Sequence, residues 1–286
     1  MSGATGPQDE NNAVRNNAVP DDSTPVNTPV DTPANTPVDD RPHDATGPLV
    51  TTALVTAAAR GIGEEVARQL ARLGTHVVIT ARDPADAAAA AERIDGAEAM
   101  PVGVDIADQA SVDTAAQAFA DRWGHLDILI NNAAAHPDRD ETPSQANLAA
   151  ATDALRVTLF GTWRMTQAFL PLLRRSSHPR IVNVSSGAGS HTDEQYGFPV
   201  FGGAAASHAI GKAALNAFTA VLAAELSDTP VIVNAVCPGV TATVPGAEAF
   251  GARPVEESAP GVVWAATLPD DGPRGGFFRD AQPLGW

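Results

Sequence analysis

From residue 49 onward, short runs of β-branched and other apolar residues alternate with alanine-rich stretches whose apolar positions recur at helical spacing. The runs at 50–56, 76–80, 99–105, 128–131, 180–185 and 231–237 predict strands. Between them, the stretches near 61–73, 85–94, 109–123, 146–175 and 205–227 predict helices. Alternation of this kind predicts an α/β domain built on a doubly wound parallel sheet with helices on both faces. Such a sheet binds ligands beyond the carboxyl ends of its strands, where the strand order reverses.

Residues 1–47 are a different material. They are rich in Asn, Asp, Pro and Thr and carry a ragged repeat of Thr-Pro pairs, from Thr24-Pro25 to Thr36-Pro37. A segment this polar buries too little apolar surface to offset its ordering entropy, so it is expected to be a disordered acidic tail. The folded domain is expected over 48–286. The whole chain of 286 residues is 44% hydrophobic, enough for one sizeable core. Its net charge of −16 argues against nucleic acid or an anionic membrane as partner. No apolar run approaches the roughly 18 residues of a membrane span, and no basic-then-apolar leader opens the chain. A single cysteine, Cys237, excludes an internal disulfide and leaves no metal cluster. A reducing cytoplasm is the simplest expected location.

The first strand runs into Thr56-Ala57-Ala58-Ala59-Arg60-Gly61-Ile62-Gly63, and a helix follows from Glu64. Small residues here let backbone amides approach a pyrophosphate, and the helix N-terminus stabilises its charge. Arg82 ends the second strand, where an acidic residue would instead bind the ribose hydroxyls of NAD. Together with Arg60 it suits the extra phosphate of NADP(H), although Asp83 stands one residue later.

This turn resembles the Thr-Gly-x-x-x-Gly-x-Gly signature of the short-chain dehydrogenase/reductase family, with Ala57 in place of its first glycine. The resemblance runs in order from about residue 49 to 286 and implies a Rossmann-type fold. It implies cofactor contacts for Ala57, Ala59, Arg60, Gly61, Ile62, Gly63 and Arg82. Asp105 resembles the family aspartate that contacts adenine, with Ile106 beside it. Asn131-Asn132-Ala133-Ala134 is similar to the family's Asn-Asn-Ala-Gly, which implies that Asn132, Ala133 and Ala134 line the ribose. Pro238-Gly239-Val240, followed by Thr243, resembles the turn over the nicotinamide.

The resemblance also implies the reaction centre. Arg180–Gly189 is similar to the strand that carries the catalytic serine, here Ser186. The segment from His208 to Lys212 resembles the helix that carries Tyr-x-x-x-Lys, with the chain's only lysine in place and a histidine where the tyrosine belongs. Thr158 stands where the family has an asparagine that holds a water in its proton relay. Positions four apart share a helix face, so His208 and Lys212 face one cleft. Tyr196, the only tyrosine, lies in a long insertion between the serine strand and this helix, with His191 and Glu194 nearby.

Three functions stay open at this point. The first is an atypical NADPH-dependent ketoreductase acting on a small-molecule carbonyl, a polyketide or other secondary metabolite among them. Its proton would come from His208, water or a substrate hydroxyl. The second is a cyclase, dehydratase or isomerase with His208 as general base. The third is a catalytically silent cofactor-binding relative. The family resemblance further implies a homodimer or homotetramer through the long helices.

Overall fold

The structure, a computed structural model, describes residues 3, 50–135, 140–200, 202–243 and 246–286. The expected tail over 1–47 therefore lies outside the described residues, Gly3 apart.

The parallel sheet begins with β1 (Thr52–Val55), β2 (His76–Ile79) and β3 (Ala97–Ala99) and continues with β4 (Ile128–Asn131), β5 (Arg180–Val184) and β6 (Ile232–Val236). A seventh parallel strand, β7 (Phe277–Arg279), and an antiparallel β8 (Gln282–Pro283) complete it in the order β3-β2-β1-β4-β5-β6-β7-β8. The order reverses between β1 and β4, which places the binding crevice beyond their carboxyl ends.

Alternate strand residues feed two cores. Ala53 and Val55 of β1 pack with α1 (Gly61–Arg72), α2 (Pro84–Ala91) and α7 (Val255–Ala266) on one face. Leu54 packs with α3 (Gln109–Trp123), α5 (Thr162–Leu173) and α6 (Ala206–Glu225) on the other.

Two expectations need correction. The strand predicted over 99–105 ends at Ala99, because Pro101 has no N–H to offer the ladder. The chain still runs alongside β2, with the Met100 amide on the Ile79 carbonyl and the Val104 amide on the Ala81 carbonyl, both at 2.8 Å. Asp105 is thus delivered by a loop rather than by a strand end. The helix predicted over 146–175 is also interrupted. It is α4 (Leu148–Leu155), a π turn over Arg156–Gly161, and then α5. Gly161 allows this wide turn to sit on Ile106, since a β carbon on it would lie 2.7 Å from the Ile106 side chain. Such π turns gather at functional sites.

Candidate active site

The turn after β1 is held by side chains from the neighbouring strand. Thr56 Oγ1 accepts from the amides of Asn132 at 2.9 Å and Ala133 at 3.0 Å. Asn132 Nδ2 returns the contact by donating to the carbonyls of Thr56 (2.9 Å) and Ala57 (3.3 Å). Gly63 is required here, because a β carbon would stand 2.5 Å from Asn132 Nδ2 and 2.9 Å from the Ala57 carbonyl. Gly61 takes φ +62, and Ala57 takes φ +51, a left-handed conformation that strains an alanine. Arg60 occupies the N-cap of α1 without any side-chain capping bond. The first amides of α1 are thus left for an anion, the arrangement that fits a pyrophosphate.

Other chain segments close around this turn. The Ala58 amide binds the Thr80 carbonyl at 2.9 Å, joining the turn to the end of β2. Arg82, two residues on, is exposed, as is Arg60. Asp83 follows Arg82 at the N-cap of α2. Its carboxylate accepts from the Ala85 amide at 2.8 Å and caps α2. Asp105 is exposed and accepts from the Ala107 amide at 2.9 Å, while the Ile106 side chain is buried beneath Gly161 and offers a ligand only its backbone. Thr243 lies over Gly61, its methyl 3.5 Å from where a Gly61 β carbon would be. Ile62 packs on the core, while Ala59, Ala133 and Ala134 are partly exposed and Val240 is exposed.

Two arginines that the sequence did not single out brace this half. Arg93 Nη2 donates to the Ala59 carbonyl at 3.2 Å, and its Nε binds Glu64 at 3.1 Å. Arg253 donates twice to the Pro238 carbonyl, at 3.0 and 2.6 Å, and binds Asp280 at 2.7 Å. It thereby fixes the turn at Gly239, whose φ is +76. Neither arginine stands in a motif, so no local signal marks it.

On the reaction side, successive serines after β5 point to opposite faces, as an extended chain requires. Ser185 is buried and donates to Asn216 Oδ1 on α6 at 2.6 Å. Ser186 is partly exposed and accepts from the Ala188 amide at 3.2 Å, at the start of a tight turn over Gly187–Gly189. Gly189 packs onto α6 at Lys212, where a β carbon would stand 2.5 Å from the Lys212 carbonyl carbon.

Lys212 is only 4% exposed, and its Nζ donates to the Val184 carbonyl at 2.6 Å, two residues before Ser186. Burial pushes its pKa down to about 8, with the nearby Cys237 thiol opposing that shift. His208, one helical turn earlier on α6, is partly exposed. Thr158, in the π turn, is 3% exposed and packs beside Gly211. Its hydroxyl accepts from the Ala135 amide at 3.3 Å, and its carbonyl accepts from Thr162 Oγ1 at 3.0 Å.

The N-terminus of α6 has no cap of its own, since Ala205 stands there at φ +52. Glu141 supplies one from a distant segment. Its Oε2 accepts from the Ser207 amide (3.1 Å) and hydroxyl (2.5 Å), and its carbonyl accepts from the Ala206 amide (3.2 Å). In the insertion, His191 and Glu194 are exposed, and the His191 ring meets Phe198 edge-on. Tyr196 instead lies against Gly187, next to Ser186. Among the described residues, no group of three His, Cys, Asp or Glu side chains is placed to hold a metal ion, and no helix is long and apolar enough to cross a membrane.

Comparison with known proteins identifies the family of the fold. The chain is 31% identical to salutaridine reductase of Papaver bracteatum across 301 aligned positions, covering 81% of this chain and 94% of that protein. It is 35% identical to the short-chain reductase NovJ of Streptomyces niveus over 208 positions, covering 71% and 75%. Among solved structures, NADPH-bound carbonyl reductase from chicken fatty liver superposes with a TM-score of 0.71 at 26% identity, covering 83% of this chain and 99% of the other. A family model described as short chain dehydrogenase matches residues 51–252, well over half of the sequence, and on that breadth of match the chain belongs to the short-chain dehydrogenase family.

Proposed function

We propose that this protein is an NADP(H)-dependent ketoreductase acting on a small-molecule carbonyl. The observation that carries the proposal is the packing of the Ser186 turn directly on buried Lys212, beyond the crevice where β1 and β4 diverge. The cofactor assignment rests on Arg82, exposed three residues beyond β2, while Asp83 beside it caps α2. It is supported by the NADPH in the chicken carbonyl reductase structure. Bound along the turn from Thr56 to Gly63, NADPH would supply hydride to the carbonyl carbon.

The chain's own residues then have separate tasks. Ser186 Oγ is the group available to donate to the carbonyl oxygen as negative charge gathers there. Lys212 Nζ, which donates to the Val184 carbonyl, would hold the ribose hydroxyls. The proton comes from His208, from water or from an acidic hydroxyl of the substrate. A ring hydroxyl on a polyketide or similar secondary metabolite would serve. Exposed Phe160, Trp163 and Val221, in the π turn, α5 and α6, support a homodimer or homotetramer through these helices.

Titration with NADPH and NADH, followed by nicotinamide fluorescence, tests the reading. Micromolar NADPH affinity with NADH weaker by about tenfold or more is the expected result. Binding of neither nucleotide would overturn it. His208→Tyr then separates the chemistries, since a reductase keeps or gains turnover of simple ketones. A histidine-base cyclase, dehydratase or isomerase loses its reaction. A silent relative shows no turnover in either form.

A further inference from the structure

Arg279, at the end of β7, stands where several parts of the chain meet. Its guanidinium ion-pairs with Asp193, reaches Gln195 Oε1 at 3.3 Å and covers the Tyr196 ring at 4.7 Å from the centroid. All three partners belong to the insertion between the Ser186 turn and α6. Asp193 also shapes that insertion, accepting from the amides of Gln195 (3.0 Å) and Tyr196 (3.2 Å).

The cluster is packed against the serine turn. A β carbon on Gly187 would overlap both Asp193 and Arg279 and stand 3.0 Å from Tyr196 Cβ. The Gly187 amide donates to Cys237 Sγ at 3.1 Å, and the same thiol neighbours the Arg279 guanidinium. The C-terminal residues hold the other end of the insertion, where Ser190 Oγ donates to the Gly285 carbonyl at 2.6 Å. A planar guanidinium can fork onto a carboxylate and present a flat face to an aromatic ring at once, which a lysine cannot do.

We infer that Arg279 is a positioning residue for the reaction cleft. It holds the Ser186 turn and stations the Tyr196 ring beside it as a wall against which a flat carbonyl substrate packs. The substrate half of this inference rests on the ketoreductase reading; the placement of the loop and ring does not.

Two variants test it. Removing one charge alone would leave its buried partner unpaired, so the double variant Asp193→Asn with Arg279→Gln removes both. Arg279→Lys keeps the charge for Asp193 but loses the fork and the flat face. Four readouts are compared with the unaltered protein: NADPH affinity, NADPH-driven reduction of phenanthrenequinone, chymotrypsin cleavage after Tyr196, and the NMR signal of the ring-labelled sole tyrosine.

In the double variant, NADPH affinity is expected to stay within about twofold, while KM for the quinone rises about tenfold and cleavage quickens about tenfold. Arg279→Lys is expected to recover the protease resistance, yet to keep the raised KM and a displaced tyrosine signal. An unchanged KM in both variants overturns the inference, as does NADPH affinity falling in step with KM. Should the double variant not fold, KM and the tyrosine signal in Arg279→Lys decide. If the unaltered protein binds NADPH but leaves the quinone unreduced, the ketoreductase reading fails on this acceptor. The inference is then judged by the tyrosine signal and loop cleavage, and no change in either overturns it.

Discussion

The two halves of the cleft depart from their family pattern in different ways. On the cofactor side, alanine replaces glycine at Ala57 and Ala134, yet the turn is held because Asn132 and Arg93 grip its backbone while Thr56 grips the Asn132 and Ala133 amides in return. Ala57 even adopts the left-handed conformation that a glycine would take. On the reaction side, under the reading proposed above, the changed groups are the ones that would move protons. His208 and Thr158 would then alter reach, acidity and hydrogen-bond capacity, and no backbone brace can restore those. A backbone task can be met by neighbours when one residue changes; a proton-transfer task belongs to the atoms that perform it.

The largest test of this contrast is Lys212→Met. If the lysine serves the reaction, NADPH-dependent turnover falls by about a hundredfold or more. The fold should gain instead, because the charged form of Lys212 is disfavoured by burial, with a pKa near 8 against 10.5 when unperturbed. That penalty is fully present below pH 8. Between pH 8 and 10.5 the unfolded chain binds more protons than the folded one, so stability rises with pH across this window. The shift of 10.5 − 8 corresponds to about 3 kcal/mol. Chemical denaturation at pH 7 should therefore find Lys212→Met more stable by a large part of that amount, with the gap closing by pH 10.5. A less stable variant would show that Lys212 is a structural donor to Val184 rather than a functional cation.

The next test falls on the cofactor side. Arg82→Ala should weaken NADPH binding by about 1.5–3 kcal/mol, the value of a hydrogen bond to a charged group, while NADH affinity is unaffected. Equal losses for both nucleotides would move Arg82 from the phosphate to the pyrophosphate. Glu141→Ala comes next, on the reaction side, and removes the borrowed cap of α6. It should cost about 1 kcal/mol, seen as a melting temperature lower by about 2–4 °C, with Glu141→Gln retaining most of the cap. A drop in turnover well beyond that loss would show that the first turn of α6 must be held rigid for His208 to act.

Much of this architecture is legible in the sequence because it is local. Strand–helix alternation, the glycine spacing of the first turn and the four-residue step from His208 to Lys212 are all short-range patterns. The braces are not. Arg93, Glu141 and Arg279 reach across 29, 66 and 86 residues to Glu64, Ser207 and Asp193, Arg253 closes a loop of 15 onto Pro238, and a lone charged residue looks the same whether solvated or committed. The end of β3 is hidden from the sequence because Pro101 sits in an apolar run, and the π turn because a widened turn leaves the apolar period nearly unchanged. Asp83 shows the converse. By sequence it blurs the cofactor choice, and one short contact to the Ala85 amide gives it a capping task that no motif announces.

The smallest test sharpens the comparison most, because it asks whether the cofactor side is already in its working shape. Ala57 at φ +51 holds a conformation that costs an L-residue about 1–2 kcal/mol, while glycine adopts it readily. Glycine also gives the unfolded chain more freedom, which takes back roughly 0.5–1 kcal/mol. Ala57→Gly should therefore stabilise the fold by about 0.5–1 kcal/mol, a rise in melting temperature of about 2 °C. NADPH affinity should tighten by less than about threefold, since Asn132 already fixes the Thr56 and Ala57 carbonyls and Gly63 admits the close approach. Tightening by more than about tenfold would mean that the turn reorganises on binding. The two halves of the cleft would then differ only in degree, and Ala57 would join His208 as a substitution that alters function rather than one its neighbours absorb.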